Sequence, residues 1–285
     1  MDGNGDACGR NPRKIFYMKT GSVRGKERDR PMEKKTVRLK NLIIGEGAPK
    51  ICVPITGKNR EEILAQGREA AAAGPDLLEW RADFWEGIRE REKACRVLKE
   101  LRGILKEIPI LFTIRSREEG GVRSVTSEEY LALNLWAAGQ QEISMVDIEV
   151  MHPLWSGKDV VKQIHQAGKP VIGSRHYFHR TPEREELKEI FQELGDSGAD
   201  ILKLAVMPAS PREVLRLMEA TLEEHSSRPQ PLVTMSMGDL GIVSRISGSL
   251  TGSAVTFGSA AEASAPGQLP AEELRKILEL LEKRK

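Results

Sequence analysis

From residue 49 onward the chain alternates eight times between short apolar runs rich in β-branched residues and longer stretches dominated by Glu, Lys, Arg, Leu and Ala. Runs of the first kind read as strands and stretches of the second kind as amphipathic helices. The predicted strands are 50–56, 77–83, 109–115, 145–150, 170–175, 200–206, 231–236 and 253–257. Helix starts are signalled by Asn59, by Ser127 ahead of two glutamates, and by Pro182 and Pro270 as first-turn prolines; Gly74, Gly168 and Gly198 suit helix ends. The strands are too apolar to leave one face in water, so a closed parallel (β/α)8 TIM barrel is expected rather than an open doubly wound sheet. No G-x-G-x-x-G run argues for a dinucleotide fold. Residues 36–44 are expected to form a short β-hairpin covering the barrel bottom.

The 285 residues suit one barrel, and residues 32–285 are expected to be that single catalytic domain. Residues 1–31 hold eight Lys/Arg against four Asp/Glu and are rich in Gly, which reads as a disordered extension; the remainder carries 36 against 38. A body so nearly balanced is not a nucleic-acid surface. Cys8, Cys52 and Cys95 are odd in number and lack metal-ligand spacing, pointing to reduced thiols, no structural metal and a cytoplasmic protein. No apolar run approaches a membrane span, and no secretory signal precedes the body.

Within Ile201-Leu202-Lys203-Leu204-Ala205-Val206, Lys203 is the only charge where a buried strand should be wholly apolar. Taken alone, it reads as a lysine snorkelling from a strand end. Its alternative is chemical: burying an ammonium costs several kcal/mol unless it is paired, and desolvation favours the neutral amine, a nucleophile toward carbonyls. Other polar residues fall at predicted strand ends too, where barrels place their chemistry. Glu79, Arg81 and Asp83 share one face of the second strand at period two, Arg115 closes the third, and Asp147 and Glu149 share a face of the fourth. His176 follows the fifth strand, Lys203 lies on the sixth, and Thr234 and Ser236 lie on the seventh.

Glu79 paired with Arg81 or Arg115 would serve merely to hold the barrel, and a strand-end histidine is commonly scaffold. A nucleophilic amine and an imidazole on neighbouring strands are, however, the two groups needed for iminium chemistry on a ketone. Glu119, in a glycine-flanked loop, is a carboxylate partner for His176, and Arg115 and Arg245 are expected beside Lys203. The turn at Gly238 and the loop 263–268 border the mouth, where either a phosphate or a carboxylate held by Arg245 would fit. A class I aldolase acting on phosphosugars and a catalytically silent barrel remain open on these residues.

Assembled in order, the motifs resemble the type I 3-dehydroquinate dehydratase family of metal-independent Schiff-base enzymes in the shikimate pathway. The resemblance spans residues 36–285 and rests on Glu-Trp-Arg-x-Asp at 79–83, Phe-Thr-Ile-Arg-Ser with Glu-Gly-Gly at 112–121, and His-x-Phe-His-x-Thr-Pro at 176–182. Gly-Ala-Asp-Ile-x-Lys-x-Ala-Val-Met-Pro at 198–208, Met-Ser-Met-Gly at 235–238, Ser-Arg at 244–245 and Ser-Ala-Pro-Gly-Gln at 264–268 complete it. It implies dehydration of 3-dehydroquinate to 3-dehydroshikimate, with Lys203 forming the iminium, His176 as general acid/base and Glu119 orienting it. It further implies that Arg245, Ser264 and Gln268 bind the substrate carboxylate, while Glu79, Arg81 and Arg115 line the side that holds the ring hydroxyls. By the same resemblance, His179 supports, Phe178 and Met207 form an apolar wall, no cofactor is used, and the enzyme is a homodimer. Pro54 departs from the family, whose members often have a small hydroxyl residue there, and altered affinity is expected from it.

Overall fold

A computed structural model describes residues 33–260 and 265–282. It opens with an antiparallel hairpin in which β1 (Val37–Leu39) pairs with β2 (Leu42–Ile44), Val37 opposite Ile44. Lys40 turns it at a φ of 52°, the left-handed geometry that a two-residue hairpin connection demands. The barrel follows as strand and helix in turn: β3 (Lys50–Ile55) and α1 (Arg60–Ala72), β4 (Leu77–Arg81) and α2 (Arg91–Leu105), β5 (Ile110–Thr113) and α3 (Ser127–Ala138), β6 (Met145–Glu149) and α4 (Gly157–Gln166). Its second half comprises β7 (Val171–Tyr177) and α5 (Arg184–Asp196), β8 (Ile201–Val206) and α6 (Pro211–Ser227), β9 (Leu232–Ser236) with α7 (Ile242–Ile246) and α8 (Gly248–Thr251), then β10 (Val255–Phe257) and α9 (Ala271–Glu282).

All eight barrel strands are parallel, in the order β10-β3-β4-β5-β6-β7-β8-β9. The remaining seam, between β9 and β10, is closed by a parallel bridge from Leu232 to Ser253, with Ala254 N–H donating to Leu232 O at 2.7 Å. This is the (β/α)8 barrel expected from the alternation.

Period two divides each strand between two apolar layers. Outward residues such as Leu78, Phe112, Val146 and Leu202 pack under helix residues such as Ile63, Leu98, Leu133 and Val160. Inward residues near the strand starts, including Cys52, Leu77, Leu111, Met145, Ile172, Ile201 and Val233, gather with Val37, Leu39 and Ile44 of the hairpin. The hairpin therefore plugs the N-terminal end, each buried aliphatic side chain contributing about 1.5–3 kcal/mol. Chemistry is left to the opposite end.

Asn59 caps α1 by accepting from Glu62 N–H at 2.9 Å, and Gly74, Gly168 and Gly198 follow α1, α4 and α5 at positive φ, as expected. Three helix starts differ by one or two residues. Thr126 rather than Ser127 caps α3, accepting from Glu129 N–H at 3.2 Å; Pro182 precedes Glu183, the cap of α5; and Pro270 lies one residue before α9. A residue lacking an N–H is equally suited to several positions at a helix start, so composition alone does not choose among them. The proposed disorder of residues 1–31, the thiol of Cys8, and Ser264 lie outside the described residues. Among the described residues no helix is long and apolar enough to cross a membrane.

Candidate active site

Lys203 lies mid-strand in β8 with its side chain inside the barrel, 4% exposed. Its Nζ donates to Asp147 Oδ2 at 3.0 Å, is 3.6 Å from Glu79 Oε1 and sits 4.6 Å from the centre of the Phe257 ring. Its ion-pair partners are thus carboxylates, while Arg115 and Arg245, the cations expected beside it, line the same cavity. Arg115 instead donates to Asp147 Oδ1 at 2.7 Å and to Glu149 Oε1 and Ser174 Oγ at 3.0 Å. Burial alone would raise the Asp147 carboxyl, but Arg115 and Lys203 outweigh it and hold it well below the usual carboxylate range.

His176 occupies β7 opposite Ala205, one inward position above the Ser174–Lys203 pair. Adjacent strands therefore bring the two side chains into one cavity, of about 60 Å³, which Glu79, Arg81, Arg115, Glu119 and Arg245 also line. His176 Nδ1 lies 2.9 Å from Glu119 Oε2, leaving Nε2 as the ring nitrogen for a substrate proton. Glu119 is also gripped by Arg175, whose Nη1 donates to Oε1 at 2.8 Å. Burial, then Arg115 and Lys203, lowers the His176 imidazolium well below histidine's ordinary range, so the ring rests as a neutral base. Burial and the nearby Glu149 push Glu119 up to about 8, against the opposing pull of Arg115 and Arg175.

The Glu119 loop depends on Gly120, whose φ is 85° and whose added Cβ would fall 2.2 Å from the Phe178 ring. Gly120→Ala is expected to cost about 1–2 kcal/mol from the left-handed backbone alone. It should also displace either Phe178 or Glu119, lowering kcat along with the melting temperature. Wild-type values for both in a thermal melt and a turnover assay would contradict this.

Across the cavity Arg245, 2% exposed, has no carboxylate in reach among the described residues. It donates to Pro266 O at 3.0 Å and meets Phe257 O and Met235 Sδ at 3.5 and 3.8 Å, while its buried Nε has no partner. Burial lowers it to about 10, still a cation at neutral pH. Such a group is costly unless an anion completes it. Gln268 and Ala265 line the cavity beside it.

Of the remaining expected residues, Glu79 pairs with neither Arg81 nor Arg115; it accepts from Thr113 Oγ1 at 2.9 Å. Arg81 forms a two-pronged pair with Asp83 at 2.8 and 2.9 Å, Asp83 having left the strand for a 3₁₀ turn. Pro54 stands beside Glu79 in the sheet register, and His179 is exposed. Thr234 and Ser236 do not reach the mouth. Thr221 Oγ1 donates to Thr234 Oγ1 from α6, and Ser236 N–H donates to Ser244 Oγ of α7, both on the outer side of β9. Asp147 and Glu149, read from the sequence as strand-end charges without an assigned role, form the buried polar floor with Ser174, and the half-buried Arg175 borders it. Their signal was charge or hydroxyl at period two in otherwise apolar strands.

A second cavity, about 220 Å³, opens at the other end of the barrel among Lys34, Gly47, His225 and Gly252. It is larger but holds no comparable cluster of reactive groups. No set of three or more His, Cys, Asp or Glu poised to hold a metal occurs among the described residues.

Strand-end chemistry at the C-terminal mouth of a closed parallel barrel defines a (β/α)8 enzyme. Comparison narrows the class, because the sequence profile described as Type I 3-dehydroquinase matches residues 51–285. The 3-dehydroquinate dehydratase of Klebsiella pneumoniae subsp. pneumoniae is 44% identical over 248 residues, 86% of this chain and 98% of its own. A crystal structure of type I 3-dehydroquinate dehydratase from Clostridium difficile, with covalent modified comenic acid, is 40% identical, covers 88% of this chain and all of that one, and gives a TM-score of 0.84. That of the Geobacillus kaustophilus HTA426 3-dehydroquinate dehydratase gives 0.85 at 39% identity, over 88% of this chain and 98% of that one. The chain belongs to the type I 3-dehydroquinase family, a family of hydro-lyases.

Proposed function

We propose that this chain dehydrates 3-dehydroquinate to 3-dehydroshikimate, in the shikimate pathway toward chorismate and aromatic amino acids, through a Schiff base on Lys203. Membership of the family supports the overall reaction. The observation that carries the mechanism is the buried amine of Lys203 one register step from His176, itself bonded to Glu119.

In this reading Lys203 gives up one ammonium proton and attacks the C3 ketone as the free amine; the carbinolamine hydroxyl takes up that proton and leaves as water, giving an iminium. Neutral His176 takes a proton from C2 through Nε2, and the electron pair flows into the iminium as an enamine. Its imidazolium, held at Nδ1 by Glu119, then gives that proton to the departing C1 hydroxyl, which leaves as water while the enamine returns to iminium. Hydrolysis of the conjugated imine releases product and restores the amine, so one water is lost overall. Arg245 binds the substrate carboxylate with Gln268 and Ser264, and its lack of an internal anion supports that role. Glu79 and Arg81 border the ring hydroxyls. Arg115, with two of its donors engaged by carboxylates and one by Ser174, contributes through its remaining N–H groups. Supplying 3-dehydroquinate should produce the near-ultraviolet absorbance of the conjugated enone; folded protein that yields none contradicts the reading.

We read residues 32–285 as the single catalytic domain, a reading supported by a family match that begins at residue 51. The homodimer is likewise a proposal. Leu215 and Leu222, seven residues apart on α6, are exposed, as are Leu240, Val243 and Leu250 on segments packed near that helix. Across a two-fold axis Leu215 can meet the second copy's Leu222 and the reverse, the reciprocity an isologous interface needs. Light scattering should give twice the chain mass; a single-chain mass contradicts it.

A further inference from the structure

We infer that Asp147 is the counter-ion of the Lys203 iminium, the carboxylate that keeps the Schiff-base nitrogen protonated while C2 loses its proton. The inference rests on the Schiff-base reading above and adds a residue to it. Condensation replaces an ammonium by an iminium at the same nitrogen, so charge and one N–H persist there. A carboxylate placed for the first therefore serves the second. Deprotonation would leave a neutral imine, a poor acceptor for the C2 electron pair.

Geometry singles out Asp147 for this task. Its Oδ2 is 3.0 Å from Nζ, closer than Glu79 at 3.6 Å, and it is wholly buried. The other oxygen, Oδ1, is pinned by Ser174 Oγ at 2.6 Å and Arg115 Nη2 at 2.7 Å, so Oδ2 cannot swing away from the nitrogen. The Phe257 ring lies over Nζ, 4.6 Å from its centre. The charged and titratable groups facing Asp147 and Nζ are Arg115 beyond β5, His176 on β7, Glu79 on β4 and the buried thiol of Cys52 on β3. Arg115 keeps the carboxylate ionised, and the other three are unchanged in the substitution that tests it.

Asp147→Asn preserves shape and still offers an amide oxygen to Arg115 and Ser174 while removing the charge. Its expected result is a fall in kcat of roughly 10²-fold, with the alkaline limb of the kcat–pH profile displaced about 1–3 units downward, the shift an adjacent opposite charge supports. Borohydride should still trap substrate on Lys203 at acidic pH. Ser174→Ala, which loosens Asp147 without altering charge, should leave that limb in place. A wild-type limb in Asp147→Asn, an equal displacement in Ser174→Ala, or no trappable adduct in Asp147→Asn at any pH overturns the inference. If Asp147→Asn does not fold, wild-type enzyme with ¹⁵N-labelled lysine serves instead. Its Schiff-base resonance should remain that of a protonated iminium up to about pH 9, and conversion to the neutral imine below that pH overturns the proposal. Absence of an adduct in the wild type would sink the Schiff-base reading itself, an outcome distinct from these.

Discussion

Lys203→Ala is expected to abolish turnover of 3-dehydroquinate, a loss on the order of the 10⁶-fold seen when a covalent nucleophile is removed. Without Nζ no iminium forms at C3, and the C2 carbanion has no electron sink. The variant also leaves Asp147 and Glu79 facing an empty position inside the barrel. Breaking a buried ion pair costs about 3–5 kcal/mol, and the lower end is expected here because Asp147 keeps Arg115 and Ser174. Lys203→Met, which retains the apolar stem, separates the two effects: it should melt closer to wild type than alanine does and be equally inactive. Turnover of a folded variant within tenfold of wild type contradicts the nucleophile assignment.

His176→Ala should behave differently, forming the Schiff base but eliminating water more slowly by roughly 10²- to 10⁴-fold, the usual contribution of a general acid/base. The pH profile supplies a second readout. Burial together with Arg115 and Lys203 lowers His176, so the neutral form needed to take the C2 proton exists above that lowered value and is lost only as pH falls through it. In the wild type the acid limb of kcat/KM is therefore expected below histidine's ordinary value of about 6.5, and His176→Ala should erase it. Unchanged turnover in the variant would move the acid/base role to another side chain.

The barrel was legible because its signal is periodic and local. Eight apolar runs, each followed by an amphipathic stretch, leave few other folds, and the hairpin expected over residues 36–44 is found at 37–44. Lys203 and His176 were legible for a related reason, each being a polar residue in or at the end of an apolar strand. What escaped was the choice of partners. Arg115 lies past the end of β5 and reaches Asp147 and Glu149, 32 and 34 residues away, a choice made by sheet register rather than by neighbours in sequence. Arg81 took Asp83 because the strand ended between them, turning a presumed shared face into a local clasp.

Thr234 and Ser236 mislead for a different reason. Near the mouth the barrel interior is polar, so polarity ceases to mark the outside, and Val233 and Met235 are the inward residues while the Thr234 hydroxyl meets α6 and the Ser236 backbone N–H meets α7. The helix starts were off by one or two residues where Pro182, Pro270 and Ser127 each suit several positions of a first turn.

Reduction with borohydride in the presence of 3-dehydroquinate, followed by peptide mass mapping, tests the central claim in one measurement. The expected result is a stable substrate-derived adduct on the peptide containing Lys203, with loss of activity in proportion to its formation. An active enzyme that gives no adduct, or one that carries it on another residue, would contradict the Schiff-base assignment.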